Sequence, residues 1–151
     1  MDGIKVIEFD LGYSNHLSFF NRLSIFLKFA LGSILIVWRV PADIIFATST
    51  PLSIGITGIF AKWIMRKVFV FEVRDLWPEL PKSMGIIKNP IILSLMYFLE
   101  WAIYKSADRV VALSPGMVDG IIARGINESK VAMIPNGCDF GIFDFNVSTI
   151  K

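Results

Sequence analysis

Cysteine is nearly missing: Cys138 stands alone, so no internal disulfide can form and the chain suits a reducing compartment. There is one histidine, His16, and no Cys/His cluster or H-E-x-x-H, so no metal centre of familiar spacing is expected and no cofactor is implied. Basic runs are missing too. The 15 basic and 13 acidic residues are mixed along the chain to a net charge of +2, with no finger or RNP motif, which argues against a nucleic-acid partner. The opening MDGIKVIEFD has no apolar core of the kind a secretory signal needs. The sequons at Asn127 and Asn146 are therefore read as chance. G-x-G-x-x-G, the P-loop and G-x-S-x-G are all absent, and there is no internal repeat or low-complexity segment.

What the chain has in quantity is apolar side chains, 54% of 151 residues, with a mean hydropathy of +0.62. A single domain of this size must bury them well or pass some to a membrane or partner. Residues 18–39 pose that choice most sharply. Their longest uncharged run, Phe29 to Trp38, is ten residues, short of the roughly 18 of a spanning helix. Asn21, Ser24, Lys28, Gly32 and Arg39 form a narrow polar stripe on a wide apolar helix. The plainest reading is a mostly buried core helix. A helix in a bilayer interface, with Arg22, Lys28, Trp38 and Arg39 as headgroup anchors, and a single span are the alternatives.

Past residue 40 the pattern alternates. Asp43–Ala47 reads as a buried strand, residues 51–67 as a helix opened by Pro51, and Val68–Val73 as the clearest strand. A polar loop, RDLWPELPKSMG, comes next. A helix over Pro90–Ser106, a strand over Asp108–Leu113, a helix from Pro115 to Arg124 with Gly125 as its C-cap, and a strand over Lys130–Ile134 complete the series. Ile4–Phe9 is one more candidate strand, and the tail after Phe145 shows no usable pattern. Alternating strands and helices predict an α/β fold with a parallel sheet, covered on both faces because its strands are almost continuously apolar. Gly55 and Gly58 fall within a helical pattern, as close-packing positions.

Ligands of such sheets bind beyond the carboxyl ends of the strands. Four loops fall there: Thr48-Ser49-Thr50, Arg74 to Glu79, Ser114-Pro115-Gly116, and Asn136 to Asp139. Asp75 suits a base or a hydroxyl-orienting group, and Arg74 a phosphate clamp; the plainer alternative has Asp75 capping a turn and Arg74 paired with Glu79. Ser114 and Gly116 can offer backbone N–H groups to an anion, or simply form an N-cap followed by proline. Asn136-Gly137 favours a tight turn. Asn15-His16 sits just before the long apolar helix, as a surface or capping pair or as an acceptor contact.

Five stretches are familiar together: YSNHLSF (13–19), PADIIFATSTPLSIGITG (41–58), FVFEVRDLWPEL (69–80), ADRVVALSPGM (107–117) and KVAMIPNGCD (130–139). The chain resembles the N-terminal, acceptor-side domain of bacterial family 4 glycosyltransferases of the GT-B fold, of the type that builds O-antigen, capsule and exopolysaccharide. The resemblance implies a parallel Rossmann-like sheet with flanking helices, an incomplete N-terminal half of a GT-B fold. It implies transfer of a hexose from a nucleotide sugar to a lipid-linked glycan acceptor. That work would be done in the cytoplasm, peripherally at the inner membrane, with residues 18–39 as a candidate membrane contact. Asp75 and Arg74 inherit the catalytic positions. Asn15, His16, Thr50, Glu79, Ser114, Gly116, Asn136 and Gly137 are the candidate substrate contacts.

Two departures from the family pattern stand out. The opening strand, glycine-rich loop and first helix have no counterpart, which leaves the 43–47 strand as an open edge. The E-x7-E of a donor-binding domain is also absent. Residues 1–139 are expected to form a partial domain and 140–151 a linker or tail. Such a chain is expected to be inactive alone, either an inert fragment or a membrane-associated subunit needing a complementing donor-domain chain.

Overall fold

The structure, a computed structural model, describes residues 3–12, 14, 17–85 and 87–137. Helix α1 spans Phe19–Arg39, β1 Ile44–Thr48, α2 Ile54–Trp63, β2 Val68–Val73, α3 Glu79–Ser83, α4 Pro90–Ser106, β3 Arg109–Ala112, α5 Pro115–Ala123 and β4 Val131–Met133. A short 3-10 turn, Glu128–Lys130, leads into β4.

Local chemistry explains the element ends. The Asn89 side chain accepts from the amides of Ile91 and Ile92, and Pro90 follows where its missing N–H costs nothing, so α4 starts as expected. Ser114 and Pro115 do the same for α5, which ends at Ala123 with Arg124, not Gly125, as its C-cap; Gly125 follows in the left-handed region (φ 76°). Pro51 does not open its helix: residues 51–53 form a turn and α2 begins at Ile54. The polar loop after β2 contains a turn of helix, α3, that periodicity did not show.

The four strands pair in parallel in the order β1-β2-β3-β4. Because the sheet grows in one direction, right-handed crossovers put α2, α4 and α5 on the same face. Phe69, Phe71, Val73, Val110 and Ala112 point into that face and are buried with Ile103 and Tyr104 of α4 and Ile121 of α5. Gly58 lets α2 approach β2, since a Cβ there would run into the Phe69 ring; Gly55 does the same against Ile103.

The opposite face corrects an expectation. Ile44 and Phe46 are each 60% exposed and Val68 is 46% exposed, so among the described residues helices cover one face rather than both. As expected, β1 is an open edge among the described residues.

Two further expectations are overturned. Residues 4–9 form no strand and join no ladder among the described residues. Instead Phe9 lies over Gly32 and meets Phe29 edge-on, with ring centroids 5.3 Å apart. Nor is α1 a buried core helix, for only 6% of its apolar window is buried. One side packs on α2, where Thr57 and Ser53 donate to the carbonyls of Ala30 and Phe26, each at 3.1 Å. The other side exposes Leu23, Leu27, Leu31, Leu35 and Trp38, spaced at three and four residues. By length and composition alone, this helix is long and apolar enough to cross a membrane.

Candidate functional site

A parallel sheet puts the carboxyl ends of all its strands on one edge, so the segments after β1, β2, β3 and β4 share an edge, as the sequence implied. At its centre the β1 and β2 loops are tied together. Ser49, 1% exposed, donates its amide to the Glu72 carbonyl at 2.9 Å. Its hydroxyl accepts from the amides of Arg74 at 2.8 Å and Asp75 at 3.2 Å. The turn that carries Arg74 and Asp75 is thus held by two hydrogen bonds to one buried oxygen. The next residue of the β1 loop reaches the carboxylate itself: Thr50 Oγ1 donates to Asp75 Oδ2 at 3.3 Å. The Thr50–Pro51 and Trp77–Pro78 bonds, in these same loops, are cis.

Thr50 and Asp75, two of the expected site residues, are therefore in contact. Arg74 is exposed and enters no ion pair among the described residues, so the plainer alternative of an Arg74–Glu79 pair does not hold. Glu79 turns to Arg124, which bridges it to Glu100 on α4, where Nε donates to Oε2 at 3.0 Å. Glu100 is wholly buried. Burial pushes its carboxyl up to about 7, and the hydroxyl of Tyr104, donating at 3.0 Å, pulls the other way. The Tyr104 hydroxyl is itself pushed up by burial and by the neighbouring carboxylate.

Ser114 is the N-cap of α5, accepting from the Met117 amide at 3.4 Å. Gly116 beside it faces open space, as does Gly137 after β4, and Asn136 is exposed. These residues lie along the same edge without touching the Thr50–Asp75 pair directly in any described hydrogen bond. Asn15, His16, Cys138 and Asp139 lie outside the described residues.

Sequence reasoning named the Thr48-Ser49-Thr50 loop but did not single out Ser49, the residue that holds the turn. Its signal was its position directly after an apolar strand and before Thr-Pro, where a small hydroxyl can satisfy the amides of a neighbouring loop. Three polar atoms along this edge, Thr48 Oγ1, Trp77 Nε1 and Glu79 Oε2, are buried without a hydrogen-bond partner among the described residues. Leaving such a group unmet costs about 1–3 kcal/mol, so each has an unused bond to offer.

Chemically, the edge offers a carboxylate with a fixed backbone, a hydroxyl on that carboxylate, an unpaired guanidinium and an open helix N-terminus. That set can orient a hydroxyl nucleophile and balance a departing anion. No curated protein matches the chain. The family model for a glycosyl transferase 4-like domain matches residues 1–137, which include every one of these edge residues. The chain belongs to the glycosyl transferase 4-like domain family, and its α/β, Rossmann-like sheet carries a role in glycosyl transfer.

Proposed function

We propose that the chain forms the acceptor side of a site that moves a sugar from a nucleotide-sugar donor to a lipid-linked glycan in surface-polysaccharide synthesis. The observation that carries this reading is the Ser49–Thr50–Arg74–Asp75 constellation at the carboxyl edge of β1 and β2. An acceptor hydroxyl gives its proton to Asp75 as its oxygen bonds to the anomeric carbon. The bond from that carbon to the donor diphosphate breaks, and the nucleoside diphosphate leaves with the bonding pair. Thr50 holds the carboxylate in place. Arg74, which enters no ion pair among the described residues, can pair with the leaving diphosphate. Ser114 and Gly116 at the start of α5 offer amides to the same negative charge, and Asn136 and Gly137 border the cleft. Asn15 and His16 are further candidate acceptor contacts.

The decisive variant is Asp75→Asn, made and assayed in a full-length homologue. Loss of the general base should lower kcat by about 10²–10⁴-fold with little change in donor KM. Wild-type kcat in Asp75→Asn would remove Asp75 from the role and leave the chemistry without a base on this edge.

We place the chain peripherally at the cytoplasmic face of the inner membrane. Support comes from the exposed leucines of α1, flanked by exposed Lys28 and Arg39, the pattern of a helix lying in a bilayer surface.

A second reading has its own observation. The open edge of β1 and the bare face bearing Ile44, Phe46 and Val68 fit a subunit that is incomplete until another polypeptide covers them. Under this reading the purified chain transfers no sugar alone and gains activity with its complement. Unaided turnover of a nucleotide sugar by the 151-residue chain would sink it.

A further inference from the structure

The loop that carries Arg74 and Asp75 is held from both ends. Its front is fixed by the buried Ser49 hydroxyl, which accepts from the amides of both residues. Its back is fixed by α5 at two places. Leu76 lies against Gly120, where a Cβ would come within 2.8 Å of its Cδ1. Glu79, at the start of α3, pairs with Arg124. Gly120 and Arg124 stand four apart in sequence, so they meet the loop from the same side of α5.

Arg124 is itself seated from two sides. Its Nε donates to Glu100 Oε2 at 3.0 Å, and its guanidinium lies 4.6 Å over the centroid of the Tyr97 ring. Glu100 is wholly buried and is held at its other oxygen by the Tyr104 hydroxyl at 3.0 Å. Burial pushes the Glu100 carboxyl up to about 7, so below that pH it is mostly an uncharged acceptor that orients the guanidinium. The positive charge is then left to Glu79. An exposed ion pair between two loose side chains contributes little, whereas a cation fixed in advance can hold a loop in one place.

One helix thus serves the reactive edge at both its ends. The start of α5, capped by Ser114, opens on that edge, and its far end grips the loop bearing the carboxylate. We infer that Arg124 is a positioning residue for the proposed reaction: seated on Glu100 and Tyr97, it holds Glu79 and so fixes the Arg74–Asp75 turn relative to the start of α5. The inference rests on the glycosyl-transfer reading only for what Asp75 does once placed. Glu79 gains a role as the anchor of the loop through Oε1.

The test is made on the whole chain by NMR, with no donor or acceptor present. Two quantities are read: hydrogen exchange of the Arg74 and Asp75 amides, and the chemical shift of the Asp75 carboxyl carbon. Thr50→Val calibrates that shift for a carboxylate that has lost its hydroxyl donor. Glu79→Ala breaks the grip from its partly exposed end and leaves Arg124 on Glu100. It should speed exchange of both amides about tenfold and move the Asp75 carbon toward its Thr50→Val value. Arg124→Met should do the same, and the double variant should do no more than either, because both remove one contact. The Phe69 and Phe71 amides of β2 should keep their wild-type exchange rates in Glu79→Ala. Wild-type exchange at Arg74 and Asp75 in Glu79→Ala, an unmoved Asp75 carbon, or effects that add in the double variant would each overturn the inference. So would β2 amides that speed up equally, since the bridge would then only hold the fold together. Sugar transfer enters none of these measurements. An unmoved Asp75 in Glu79→Ala therefore defeats only the positioning role, and wild-type kcat in Asp75→Asn defeats only the base.

Discussion

The two faces of the sheet are made of similar residues and have opposite fates. On one, Phe69, Phe71 and Val73 are fully buried beneath α2 and α4; on the other, Ile44 and Phe46 are more exposed than buried. Each phenylalanine on the covered face contributes about 1.5–3 kcal/mol by leaving water, and the contribution vanishes where nothing packs. The covered face is where this chain's stability resides. The bare face, the β1 edge and the outer stripe of α1 leave apolar surface uncovered among the described residues.

The contrast is sharpest in paired truncations. Phe71→Ala should cost about 3–5 kcal/mol, enough to leave much of the population unfolded, because the cavity would sit beneath Tyr104 and Ile103. Urea unfolding followed by circular dichroism measures it.

A smaller effect comes from the buried carboxylate in the helix layer over the covered face. Glu100 is pushed up from 4.5 to about 7 in the folded chain. The folded state therefore holds this proton more tightly than the unfolded state. The stability it contributes is complete below about pH 4.5 and is lost as pH rises through about 7. The shift sets an upper bound of about 3 kcal/mol on the change, reduced by the Arg124 guanidinium that pairs with the ionised form. Thermal unfolding between pH 4.5 and 8 should show Tm falling toward the alkaline end, and Glu100→Gln should flatten the slope. A wild-type Tm that rises across this range would mean that the Arg124 pairing dominates and that the helix layer is held by an ion pair.

The least effect on stability belongs to the bare face. Phe46→Ser should change unfolding free energy by no more than about 0.5 kcal/mol in the isolated chain, while lowering its tendency to associate. Light scattering and urea titration read the two quantities separately. A large loss of stability in Phe46→Ser would break the comparison, because it would mean that this face is covered within the chain itself.

Much of the fold was legible from short-range signals. Val68–Val73 and Pro90–Ser106 were read with the bounds the structure has, because β-branched alternation in one and Asn-Pro capping in the other are local events. Pro51 misled because a proline starts a helix only where the following backbone already turns, and here residues 51–53 turn first. Ile4–Phe9 has a strand's composition, but a strand needs a neighbour's backbone, and no local pattern supplies one. The edge loops were located by the rule that strands of a parallel sheet end together. The contact of Thr50 with Asp75 spans 25 residues and was beyond any spacing argument. The Glu79–Arg124–Glu100 bridge was equally hidden, since Glu79 seemed to belong with its sequence neighbour Arg74.

Taken alone, the sequence determined the alternation of elements, the parallel sheet, the family and the edge on which the candidate loops gather. Each of these follows from hydrophobic period, capping residues and motif order along the chain. Only the tertiary structure decided which apolar surfaces are buried, that Ser49 holds the Arg74–Asp75 turn, and that Phe9 folds onto Gly32. The physical reason is that burial and side-chain contact depend on what lies opposite in space, and a hydrophobic pattern records only that something should.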